Sequence, residues 1–193
     1  MANQEIAGIV HALMLDDKKI VSNARKRLGL LKEEAQLRGA IEFAYGQLGS
    51  LLEELEKGAK RGQATDEKKV AQAKAILSGI KKAKAGLLQI QDELALRAVA
   101  SSSMEMAAFA NTEDVKERAF AINAISKLAS AYLKAKDMGQ KIAIRNALLK
   151  INFGLQAVPK TRPAFGRNAP YAKAGLIKKI INVNCKACGK ILA

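Results

Sequence analysis

Residues 24–55 read ARKRLGLLKEEAQLRGAIEFAYGQLGSLLEEL. Their apolar positions fall at Ala24, Leu28, Leu31 and Ala35, then at Ile41, Tyr45, Leu48, Leu52 and Leu55, with Arg38 interrupting. Steps of three and four alternate around a mean near ~3.5 residues, which is the seam of one helix packed lengthwise on another. Unbroken from residue 17 to 57, such a helix is roughly 60 Å long at ~1.5 Å per residue. Gly39, Gly46 and Gly49 cut into the run and predict a kink or a face where another backbone comes close.

The segment Lys57-Gly-Ala-Lys-Arg-Gly-Gln-Ala reads as a turn, and Thr65, Asp66 and Glu67 as the start of the next helix. A second long seam follows at Val70, Ala73, Leu77, Ile80, Leu87, Leu94 and Ala98. A short turn between two long amphipathic helices predicts an antiparallel hairpin over residues 16–100.

Before the hairpin, Ile6, Ile9, Val10 and Leu13 share one helical face, with Asn3 as the expected cap. After it, Ser101–Ser103 and Asn111-Thr112 read as a break. Thr112, Glu113 and Asp114 open a helix carrying Val115, Ala119, Ile122, Ile125, Leu128, Ala129 and Tyr132. Met138-Gly139 is expected to end that helix, and residues 140–157 to form another around Ile142, Leu148, Leu149 and Leu155.

The fold class expected is all-α: long antiparallel helical hairpins or a bundle, with an extended basic C-terminal arm. The composition agrees. All three prolines, Pro159, Pro163 and Pro170, fall late in the chain, and proline costs roughly 3 kcal/mol inside a helix. Residues 1–157 are thus read as a helical body (hairpin 16–100, helices 113–157) and residues 158–193 as a proline-bearing arm with a short helix around 173–182.

Charge is placed unevenly. The net is +15, yet the last acidic residue is Asp137, and residues 138–193 hold eleven Lys or Arg. Such asymmetry points to a polyanionic partner. In VPKTRPAFGRNAPYA (158–172), Lys160, Arg162, Arg167 and the following Lys173 alternate with Phe165 and Tyr171. Cations neutralise phosphates and release counterions, while aromatic rings stack on bases. Arg145, Lys150, Lys178 and Lys179 extend this region, and the clusters Arg25-Lys26-Arg27 and Lys81-Lys82-Lys84 sit on helices. For the helix clusters a merely solvated face is the competing reading. None is a base-reading motif, so binding is expected to be largely independent of sequence and steeply salt-sensitive.

Cys185-Lys-Ala-Cys188-Gly has the spacing and glycine of a zinc knuckle. Tetrahedral zinc needs four ligands, and the chain offers only these two cysteines and His11. A shared metal, a disulfide, a partner's ligands and metal-free thiols all stay open, and no cofactor is otherwise expected. Adjacent acidic pairs such as Glu33-Glu34 diverge around a helix. With no phosphate-cradling loop, nucleophile elbow or metal-spaced cluster, catalysis and a small-molecule substrate are not expected.

The Ala/Lys/Leu-rich helical body and the basic region 138–182 resemble the nucleocapsid proteins of filamentous archaeal viruses. That resemblance implies a non-enzymatic protein that coats or packages double-stranded DNA rather than RNA, working as a homo- or hetero-oligomer. Two other readings remain: a ribosome-associated protein that binds ribosomal RNA, and a helical scaffold for an acidic protein or an anionic membrane. The last rests on Leu176, Ile177, Ile180 and Ile181 with lysines between them. No apolar run reaches the ~18 residues of a membrane span. With no signal peptide or disulfide framework in view, an intracellular or virion-enclosed location is expected.

Overall fold

A computed structural model describes residues 2–62, 64, 66–112, 114–160 and 171–185. Among them are six helices and no strand: α1 (Ala2–Leu13), α2 (Lys18–Lys60), α3 (Glu67–Ala108), α4 (Val115–Lys134), α5 (Met138–Gln156) and α6 (Leu176–Cys185). The all-α class is as the sequence predicts. The chain divides into two compact units, one of residues 1–28 and 93–193 and the other of Gly29–Asp92.

The Gly29–Asp92 unit is the distal part of the hairpin. Its antiparallel register is marked by Glu34 bonded to Gln91 (3.0 Å), Leu37 against Gly86, and Glu54 bonded to Lys69 (2.7 Å). The seam runs through Ile41, Ala44 and Leu48 on α2 and through Ala73, Ile76 and Ile80 on α3. On α2 this seam lies one residue to the side of the expected one at several positions: Ala35, Tyr45 and Leu52 are exposed. Two apolar stripes run side by side along α2, and spacing alone does not say which one the partner helix covers. The three glycines do not interrupt α2 and mark no close approach. α2 is continuous, and a Cβ built on Gly39, Gly46 or Gly49 meets nothing within 4 Å. Gly62 takes a left-handed φ of 66° after the last turn of α2, and Asp66 caps α3 through the backbone N–H groups of Lys68 and Lys69.

In the other unit, α4, α5 and α6 pack on one another. Their core is built from Ile125 and Leu128, from Ile144, Leu148, Ile151 and Leu155, and from Ile177 and Ile181, all but sealed from solvent. Ile144 and Ile151 replace the expected Ile142, which is exposed. Asp114 caps α4, and Asp137 caps α5 by accepting from Gln140 N–H at 2.7 Å. Met138 and Gly139 therefore begin a helix rather than end one. Asn3 likewise lies inside α1.

Ser101–Ser103 do not break α3, which continues to Ala108. Ser103 Oγ donates to Val99 O (2.8 Å), Ser101 Oγ donates to Glu105, and Asn152 of α5 donates to Ser102 and Ser103. With their hydroxyls satisfied in this way, the serines serve as small residues against α5.

Pro159, Lys160 and Ala172 are tied to the α3–α4 connector. Ala110 bridges Lys160, Asn111 N–H donates to Pro159 O, and Ala172 N–H donates to Asn111 O (2.7 Å). Lys160 and Ala172 thus pair with Ala110 and Asn111, adjacent residues of that connector. Glu117, buried on α4, accepts from Lys178 N–H (3.2 Å) and Thr112 Oγ1 (3.1 Å), which pins the first turn of α6. α6 comes so close to α5 that a Cβ on Gly154 would stand 2.8 Å from Ile180 Cγ2.

Candidate nucleic-acid interface

The first turns of α2 carry a cationic face because of what lies behind them. Ile20, Asn23, Ala24 and Arg27 are buried, so Lys18, Ser22 and Lys26, spaced four apart, share the opposite side with Lys19. Asp17 Oδ1 caps the helix by accepting from Lys19 N–H (2.8 Å) and Ile20 N–H (3.2 Å), so that oxygen is spent on the backbone. On α4, Ile125, Leu128 and Tyr132 point inward, leaving Ser126 and Ser130 to face outward on one side. Lys19 Nζ crosses from α2 to donate to Asn123 Oδ1 of α4.

Between these two faces lies a concavity of about 290 Å³. Its floor is Asn23 and Arg97, locked together by Asn23 Nδ2 to Arg97 O (3.0 Å) and Arg97 Nη1 to Asn23 Oδ1 (3.1 Å). Glu93 accepts from Arg97 Nε at 2.7 Å and balances its charge. The remaining cations on the wall, Lys18, Lys19 and Lys26, have no carboxylate among the lining residues. Three ammonium groups beside the hydroxyls of Ser22, Ser126 and Ser130 offer charge and hydrogen-bond donors together, the chemistry that holds a phosphate.

No family model, curated protein or solved structure matches this chain.

The sequence-predicted residues are distributed unequally around this geometry. Lys26 lines the concavity and Arg25 is exposed beside it in sequence, but Arg27 is buried and paired with Glu5 at 3.2 Å. Lys160 is engaged by backbone carbonyls. Its Nζ donates to Leu155 O (2.5 Å) at the end of α5 and to Met106 O (3.4 Å) at the end of α3, and burial pulls its pKa below the usual lysine value. In both cases the cation is taken up by partners inside the fold.

Tyr171, Lys173, Lys178 and Lys179 are exposed around α6, with Lys178 Nζ 6.0 Å from the Phe120 ring centroid. Arg145 and Lys150 are exposed on α5. Lys81, Lys82 and Lys84 are exposed on the hairpin unit, Lys84 lying 5.1 Å over the Tyr45 ring. Arg162, Phe165, Arg167 and Cys188 lie outside the described residues, as does the side chain of Cys185 at the end of α6. Among the described residues no three His, Cys, Asp or Glu side chains gather as a metal site. His11 Nδ1 faces Glu105 Oε2 at 3.7 Å.

Lys18 and Lys19 were not singled out by the sequence, although the four-residue spacing of Lys18, Ser22 and Lys26 is legible in it. The α4 serines had no sequence signal, because only packing brings them opposite.

Proposed function

We propose that this chain is a non-enzymatic nucleic-acid-binding protein that coats or packages duplex DNA through its phosphates. The observation that carries the reading is the concavity whose unbalanced charge comes from Lys18, Lys19 and Lys26, with serine hydroxyls among them. Lys173, Lys178 and Lys179 add exposed charge on the same unit. Binding of this kind is driven by counterion release and has little preference among sequences. The net charge of +15 favours long-range attraction of such a partner.

Ribosomal RNA offers the same phosphates and is the competing occupant. The anionic-membrane reading is weaker, since Ile177 and Ile181, half of the apolar set it rested on, are buried against α4 and α5.

The test replaces Lys18, Lys19 and Lys26 with Gln in the full chain and measures binding to generic duplex DNA across a salt series. The magnitude of the salt slope should fall by about 2–3, near ~0.9 for each phosphate no longer neutralised, and affinity at low salt should drop roughly tenfold or more. An unchanged slope rejects the site. Equal or tighter binding to duplex RNA turns the reading towards ribosomal RNA.

A further inference from the structure

The hairpin unit leaves one long face without a partner. Lys84 lies over the Tyr45 ring, which places these two residues on the same side of the seam. Leu52 lies seven residues after Tyr45 and Leu77 seven before Lys84, each two turns along its own stripe, so the antiparallel register sets them opposite one another. Leu88, four residues after Lys84, continues the face. Tyr45, Leu52, Leu77 and Leu88 are between 43% and 67% exposed. Four large apolar side chains aligned on a two-helix unit form a patch of the sort that marks an interface.

At the height of residues 42 and 81 the two rims of this face carry opposite charges, while Arg38 farther along the α2 rim is paired to Glu34 at 2.7 Å. Glu42, three residues before Tyr45, stands on the α2 rim. Lys81 and Lys74, three residues before Lys84 and Leu77, stand on the α3 rim. All three are exposed, and no hydrogen bond or ion pair engages them among the described residues, whereas Glu34, Glu53, Glu54 and Glu56 are all paired. The register that sets Leu37 against Gly86 and Glu54 against Lys69 puts residue 42 level with residue 81.

We propose that this face docks a second copy of the chain, the two hairpins forming a four-helix bundle with α2 of each against α3 of the other. A two-fold axis parallel to the helices produces that arrangement. It keeps every residue at its own height, so Glu42 of one copy meets Lys81 of the second copy, and by symmetry the reverse. Ala35 comes level with Leu88 in the same way, and Gly49 with Lys74, where the missing side chain leaves room for the lysine stem. The alternative axis, across the helices, sets α3 on α3 and brings the lysine-bearing rims of Lys74 and Lys81 together. Charge therefore selects the first arrangement.

Sedimentation velocity of the full, nuclease-treated chain at moderate salt tests the proposal. The wild type should dimerise. Glu42→Lys and Lys81→Glu should each weaken the dimer roughly tenfold, since each breaks two symmetry-related pairs, and E42K/K81E together should restore it. Leu77→Glu should abolish the dimer while circular dichroism stays helical. A chain that remains monomeric at every concentration overturns the proposal, as does a dimer indifferent to all of these changes. Nucleic acid is absent from the measurement, so a dimer that binds no DNA counts against the proposed function alone.

Discussion

Neighbouring residues of one type take different roles according to the turn they occupy. Lys26 lines the concavity while Arg27, one position on, is buried against Glu5. Glycines divide in the same way. Gly154 faces Ile180 Cγ2, a β-branched methyl that cannot swing aside without moving α6. Gly154→Ala should gain about 1 kcal/mol of helix propensity and lose about 1–3 to overpacking, for a net destabilisation seen as a lower midpoint in urea. Gly39 meets nothing, so Gly39→Ala should stabilise the fold by up to about 1 kcal/mol, seen as a higher midpoint.

At the scale of the helix, caps and cross-hairpin pairs define the ends and the register. Asp137→Ala should cost about 1 kcal/mol by stripping the cap from α5, read from thermal melts. In the hairpin, the hydrogen bond from Gln91, and next the Arg38 guanidinium, hold the Glu34 carboxyl below the usual carboxylate range. The folded state thus favours the ionised carboxylate. Its stabilisation is complete above the unfolded pKa of about 4.3 and drains away as pH falls through the lowered folded value. Glu34→Gln should lower stability at pH 7 and flatten its loss on acidification, compared by urea unfolding at neutral and acid pH.

For the whole chain, α6 is part of the core of its unit. Ile177 and Ile181 are fully buried, and burying two such side chains contributes roughly 3–6 kcal/mol. Deleting residues 176–193 should therefore sharply lower the melting temperature of the α4–α5 packing. A truncation that leaves the melting curve untouched would contradict the docking of α6. For this reason substitution, not truncation, is the way to test binding.

Hydrophobic period, the confinement of proline to the end of the chain, and acidic residues before each run were enough to determine an all-α protein with a long hairpin. These are local properties, and helices are built from local bonds. The excess of positive charge at the C-terminal end was equally legible. Only the tertiary structure decided which of two apolar stripes on α2 is covered, because both satisfy the helical period. It alone buried Arg27 against Glu5 and engaged Lys160 with backbone carbonyls, set Lys18 and Lys26 beside the serines of α4, and carried the serines of α3 through a predicted break. In each case the deciding partner lies far along the chain, so the spacing of nearby residues carries no record of it.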